Sequence, residues 1–252
     1  MAPSAARSLL ELPTEVRLRI YHFLFTSSHH VRLTADGIAL APLPLSAQVL
    51  RCRKSVHAEA ISVLFARQVF AMGSMTFMYD ARLLSSLSHG RARDWIQSIE
   101  ALHHFRSFWH ETEFFGENLV ADLCKMPNLR NVKYYLDLGR FQVGDTCANV
   151  LQTLREHHST CSFAAPLLTQ HSKKLNLIAD VSFTKEFGPT VLFRRQVRFR
   201  FKIMWGTNAD TSILVGKISH IEANFRYSWS WMSEKEFNEL GSRSLALNVL
   251  NS

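Results

Sequence analysis

A run of basic residues that alternate with apolar ones is the clearest sign of binding chemistry in this chain. Residues 194–203 read RRQVRFRFKI, with strict alternation from position 197 onward. In a strand, alternate side chains share one face, so these cations would lie about 6.6 Å apart, close to the phosphate spacing of a nucleic-acid strand. The pattern predicts a strand whose candidate anion-binding residues are Arg194, Arg195, Arg198, Arg200 and Lys202.

The same alternation is typical of an ordinary antiparallel strand. Such a strand places its aromatic face in the core and its charged face in water, opposite acids on neighbouring strands. Phe199 and Phe201 would lie on the face opposite to the cations, where they could not stack with bases beside those cations. We therefore favour the ordinary strand and keep nucleic-acid binding as an alternative.

Metal-binding and catalytic patterns are weak. Three groupings could supply metal ligands, namely His29 with His30, His103 and His104 with His110, and His157 with Cys161. Adjacent histidines point to different faces, and none of these groupings has the spacing of a zinc site. The sequence also lacks a GxSxG motif and a glycine-rich phosphate loop. We expect no metal, no cofactor and no enzymatic activity.

The composition is that of a folded protein with an excess of basic residues. Of 252 residues 47% are apolar, and 18 Phe with 5 Trp supply large side chains for a core. The net charge of +8 favours anionic partners such as nucleic acid, acidic proteins or anionic lipid. The four cysteines are scattered, which predicts a cytoplasmic or nuclear protein. The sequence lacks an apolar run of about 20 residues, so we expect no membrane binding.

Two short amphipathic helices are predicted near the N-terminus, joined by a polar connection that contains prolines. The first begins at Pro13, because the first turn of a helix does not need the N–H that proline lacks. Its apolar residues recur at helical spacing and are Val16, Ile20, Phe23 and Leu24. The second helix has the same spacing over residues 49–64. Such faces either bind a partner or pack within the protein.

A mixed domain is expected to follow from about residue 75. Helices are expected over 75–87, 117–126 and 145–157, and strands over 129–138, 175–183, 191–205, 213–218 and 221–227. Ser233, followed by Glu236 three residues later, predicts a capping box at the start of a last helix. The expected architecture is α+β, with a leader over 1–8, a helical module over 9–74 and a mixed α/β domain over 75–252. The C-terminal sheet of that domain should be mostly antiparallel.

The two N-terminal segments share an ordered set of residues with a known family. The first segment supplies Leu10, Leu12, Pro13, Glu15, Arg17, Ile20 and Tyr21. The second supplies Cys52, Arg53, Glu59, Ala60, Leu64, Phe65 and Phe70. Over about residues 9–72 the chain thereby resembles the F-box-like proteins of filamentous fungi. An F-box binds the small Skp-type adaptor of a cullin ubiquitin ligase through its helical face.

This resemblance implies a non-enzymatic interaction protein, a substrate adaptor for ubiquitination. The adaptor-binding ridge would consist of Leu12, Pro13, Val16, Ile20 and Leu24. Residues 75–252 would bind the substrate or another partner. Two alternatives stay open, namely nucleic-acid binding by the basic strand and a fold in which the N-terminal helices are only core. Solvent exposure of Val16 and Ile20 would favour the docking hypothesis over the last alternative.

Overall fold

The structure is a computed structural model, and its helices and strands confirm the expected α+β class. It describes residues 9–25, 31–34, 37–40, 50, 53–72, 91–101, 120–139, 144–156, 158–171, 175–187, 195–207, 213–224 and 228–240. These residues form two compact units. The first runs up to Glu100 and includes Lys125–Leu129, and the second contains Ala101–Cys124 and the chain from Arg130 onward. The expected leader and the expected boundary near residue 75 lie outside the described residues.

The first unit combines two helices with short strands. Its elements are a 3-10 helix at Leu9–Glu11, α1 (Thr14–Leu24), β1 (Val31–Thr34), β2 (Gly37–Leu40), α2 (Lys54–Arg67), β3 (Val69–Met72), a 3-10 helix at Arg91–Asp94 and β4 (Ser98–Ala101). Strand β1 pairs antiparallel with β2 and parallel with β3. The two predicted N-terminal helices are therefore present, whereas the helix expected over 75–87 lies outside the described residues.

The second unit is a sheet with helices. Its elements are α3 (120–124), β5 (Asn131–Asp137), α4 (Cys147–Glu156), α5 (His158–His171), β6 (Asn176–Phe187), β7 (Arg195–Thr207), β8 (Leu214–Asn224), β9 (Trp229–Trp231) and α6 (234–240). The strand order is β5-β6-β7-β8-β9, in which β5 pairs parallel with β6 and the other pairs are antiparallel. This order confirms the mostly antiparallel C-terminal sheet.

One face of this sheet forms the core of the second unit. Phe199 and Phe201 of β7 are fully buried, and both rings meet the edge of Phe237 from α6 at 5.1 and 5.0 Å between centroids. Helix α4 contacts β8, and α5 contacts both β7 and β8. The opposite face carries the alternate, mostly polar side chains of the same strands, including Arg198 and Arg200.

Strand β8 corrects one expectation, because residues 213–218 and 221–227 were predicted as two strands. Lys202 pairs with His220 and the next residue, Ile203, pairs with Ile218, so Ser219 is an extra residue on β8. Such a bulge breaks the alternation of side chains without ending the strand.

Candidate functional site

The inner face of α1 packs against α2. Tyr21 and Phe25 are buried in a cluster with Val56, Ala60 and Val63, and Leu18 and Leu24 pack against that cluster. Because α1 presents these side chains at intervals of three and four residues, they lie on one side of the helix. This packing orients the helix and determines which residues remain on its outer side.

An ion pair between Arg17 of α1 and Glu59 of α2 joins the same helices. Nε of Arg17 donates to Oε2 of Glu59 at 2.9 Å, and Nη2 donates to Oε1 at 2.7 Å. The hydrogen bond from Arg17 lowers the pKa of Glu59, and the same contact raises the pKa of Arg17. Arg17 also donates to the backbone oxygen of Leu12. These residues therefore hold the two segments together.

The C-terminal end of α1 is held by two further contacts. Nε of Arg67 donates to Nδ1 of His22 at 2.9 Å, and the buried amide of Gln68 donates to the backbone oxygen of Phe25 at 3.1 Å. The Gln68 amide satisfies one of the carbonyl groups that a helix end leaves without an intrahelical partner. Contacts near both ends thus fix α1 on α2.

The outer face of α1 is apolar and accessible. Val16 is 40% exposed, Phe23 is 83% exposed, and Ile20 between them is half-buried. Seven residues at about 100° each bring Phe23 within about 20° of the direction of Val16. We call Val16, Ile20 and Phe23 the outer ridge. It is the candidate docking site of the first unit.

The residues predicted to bind the adaptor differ in their exposure. Val16 and Pro13 are exposed, Ile20 and Leu12 are half-buried, and Leu24 packs against the cluster shared with α2. Phe23 was absent from the predicted set although it is the most exposed apolar residue of α1. The helical period could have identified it, because Leu24 lies about 80° from Val16 and closer to the packed face.

The basic strand lies where the alternation predicted it. In β7, Arg198, Arg200 and Lys202 occupy the face opposite to the buried phenylalanines. Arg194 lies outside the described residues, and for Arg195 only the backbone is described. The predicted anion-binding set is therefore represented by three side chains on the polar face of the sheet.

Acidic residues on β6 and β5 pair with two of these cations. Arg200 makes a bidentate pair with the buried carboxylate of Asp180, at 2.6 Å from Nε and 2.9 Å from Nη2. Nη2 of Arg198 donates to Oδ2 of Asp137 at 3.1 Å. The arrangement matches the ordinary strand, in which cross-strand acids balance the charged face.

The candidate metal ligands cannot be placed. His29, His30, His103, His104, His110 and His157 lie outside the described residues, as does the side chain of Cys161. Within the described ranges no three His, Cys, Asp or Glu side chains are grouped so that they could hold a metal ion. None of the helices in the described part of the chain is long and apolar enough to cross a membrane.

Comparison with known proteins returned no relative. No family model, no curated protein and no solved structure matches this chain. Functional inference therefore depends on the two surfaces described above and on the residues that form them.

Proposed function

We propose that this chain is a non-enzymatic interaction protein whose outer ridge binds a protein partner. The observation that carries the proposal is the position of Phe23, which is 83% exposed on a helix face opposite to the packed one. Burying a phenylalanine side chain contributes about 1.5–3 kcal/mol, and a few buried anchors supply most of the binding energy of an interface. Phe23 would be the central anchor of this docking site.

The packed side of α1 supports the proposal by making the ridge rigid. Arg17, Tyr21 and Phe25 hold the helix on α2, so the ridge would lose little conformational freedom when a partner binds. These contacts between α1 and α2 are made by residues other than Val16, Ile20 and Phe23. A purely structural α1 would be expected to place Val16 and Phe23 against other parts of the chain, and their exposure favours docking instead.

The F-box-like pattern suggests which partner docks here. In the family, this face binds the Skp-type adaptor of a cullin ubiquitin ligase, and we propose the same partner for Pro13 and the outer ridge. The chain would then act as a substrate adaptor. Nucleic-acid binding by the basic strand is less well supported, because Arg198 and Arg200 are already paired with carboxylates.

A binding assay with purified proteins tests this proposal. The full chain is immobilised and incubated with a Skp-type adaptor, in parallel with the Ile20→Asp and Phe23→Asp variants. Wild type should retain the adaptor and both variants should lose it, because a charge in an apolar interface cannot be solvated. Val215→Asp is the matched control, since Val215 is an apolar side chain of the second unit and 48% exposed.

Two results would contradict the proposal. One is wild-type protein that retains no adaptor. The other is a Phe23→Asp variant that retains as much adaptor as the Val215→Asp control does. Circular dichroism of each variant establishes that the fold is intact.

A further inference from the structure

A cleft of about 190 Å³ opens on the polar face of the second unit's sheet. Strands β5, β6 and β7 supply its polar wall, and Trp229 of β9 lies at its side. The wall includes Asp137, Asp180, Ser182, Arg198 and Arg200. The outer ridge belongs to the first unit and contributes no residue to this cleft. The cleft is therefore a separate candidate site.

The polar wall is held in place before any ligand arrives. The bidentate pair of Arg200 with Asp180 is part-buried, and Nη2 of Arg198 is shared between Asp137 and Ser182, at 3.1 and 3.3 Å. A guanidinium has five N–H donors and a carboxylate has about four acceptor sites, so Arg198, Arg200 and Asp137 keep further capacity, whereas the carboxylate of Asp180 is buried. The wall therefore offers strong donors and strong acceptors side by side.

The residues that line the cleft carry equal numbers of positive and negative charges. Its lining contains two carboxylates, Asp137 and Asp180, and two guanidiniums, Arg198 and Arg200. A phosphate or another polyanion would meet the carboxylates as well as the guanidiniums, so a net charge on the ligand brings little advantage. A neutral ligand whose groups both donate and accept hydrogen bonds fits better. Hydroxyl groups have this property.

Trp229 adds an apolar surface on the same side of the sheet. Arg198 lies opposite Asn224, which lies opposite Trp229, so all three project from one face. Trp229 is 43% exposed, and an exposed aromatic ring is a rigid, amphipathic platform. Phe199 and Phe201 point away from the cations, as expected. Strand β9, however, places the aromatic side chain of Trp229 on the same side of the sheet as the cations.

We infer that this cleft binds a carbohydrate, namely one neutral pyranose residue. The C–H face of the sugar ring packs on the indole of Trp229, and its hydroxyls donate to Asp137 and accept from Arg198 or Arg200. Charge-assisted hydrogen bonds of this kind are the stronger ones. The volume is below the roughly 300–1,000 Å³ of clefts for drug-sized ligands, which limits the occupant to about one ring.

Titration of the full chain with simple glycosides tests this inference. The probes are the methyl glycosides of glucose, galactose, mannose and N-acetylglucosamine, each followed by tryptophan fluorescence and calorimetry. At least one should bind saturably below about 10 mM, and Trp229→Ala should weaken that binding about three- to tenfold. Trp231→Ala is the matched control. Trp231 is 68% exposed on the same strand but lies outside the cleft wall, so its loss should change affinity less than about twofold.

Three results would overturn the inference. The first is the absence of saturable binding for all four glycosides. The second is a Trp229→Ala variant that binds the glycoside as tightly as the Trp231→Ala variant does. The third is binding of AMP or inorganic phosphate that depends on Arg198 when the glycosides fail, which would assign the cleft to an anion. Thermal unfolding of both tryptophan variants verifies that the sheet is intact.

Discussion

Glu59 links the two N-terminal helices through an interaction that depends on pH. The hydrogen bond from Arg17 lowers the pKa of this carboxyl group below its ordinary value of 4.5. A carboxylate whose pKa is lower in the folded protein stabilises the fold above its ordinary pKa. That contribution is lost as the pH falls through the pKa of the folded state.

Replacing Glu59 should therefore have an effect that depends on pH. Glu59→Gln should lower the free energy of unfolding near neutral pH, and its difference from wild type should shrink as the pH falls below 4.5. Urea unfolding between about pH 7 and pH 3 measures this difference. The exposed Glu11 offers a control, because Glu11→Gln should change the free energy of unfolding near neutral pH by less than about 0.5 kcal/mol. A Glu59→Gln deficit of constant size at all pH values would contradict this reading.

Cys147 illustrates how burial suppresses reactivity. The thiol is buried at the start of α4, where burial, with the charge of Glu234 as a smaller cause, raises its pKa to about 12. At pH 8 very little of this thiol would be ionised, and the thiolate is the form that reacts. Iodoacetamide should therefore leave Cys147 unmodified in the folded protein and alkylate it in urea, as measured by peptide mass spectrometry. Rapid alkylation without denaturant would contradict the burial of Cys147.

The capping box of α6 was predicted from two residues and is present. The backbone N–H of Ser233 donates to Oε2 of Glu236 at 2.7 Å, and the N–H of Glu236 donates to Oγ of Ser233 at 3.3 Å. The bond from the Ser233 backbone lowers the pKa of Glu236. The cap therefore lies at the start of the helix that carries Phe237 onto the aromatic core.

Removing the cap should destabilise this helix. Ser233→Ala should lower the free energy of unfolding by about 1 kcal/mol, the usual cost of losing a side-chain cap. Ser230→Ala, at an exposed position of β9, should change it by less than about 0.5 kcal/mol. Chemical denaturation of the two variants measures both effects. Equal stabilities would show that the Ser233 hydroxyl contributes nothing.

Sequence patterns predicted the helices and strands in which apolar residues keep one regular spacing. They missed or divided the elements in which that spacing is interrupted or too short to recognise. The strict alternation in β7 and the helical spacing in α1 identified both elements. Helix α5 was not predicted because Pro166 lies inside it, and proline normally ends a helix. The bulge in β8 split one strand into two predictions, and β9 was missed because it has only three residues.

The candidate sites depend on contacts that no local pattern contains. Spacing could show that Val16, Ile20 and Phe23 share a face, but the exposure of Phe23 and the packing of Leu24 against α2 required the structure. The pairing of Arg200 with Asp180 joins residues 20 positions apart and requires the register of β6 and β7. Trp229 likewise reaches the cations only through the pairing of β8 with β9.

Each unit of the molecule carries one of the two proposed surfaces, and each surface is built from residues of a single unit. Variants of the two should therefore act independently. Phe23→Asp should abolish adaptor binding and leave glycoside affinity unchanged, whereas Trp229→Ala should do the reverse. Both assays on both variants measure this. Loss of both activities in either variant would indicate a general folding defect instead.

The central claim is that the outer ridge is a docking surface, and an affinity measurement tests it most directly. Calorimetric titration of a purified Skp-type adaptor into the full chain should give saturable binding to wild type. With Phe23→Asp the dissociation constant should rise at least about tenfold, since an apolar anchor is replaced by a charge. Undetectable binding to wild type, or equal dissociation constants for wild type and Phe23→Asp, would contradict the claim.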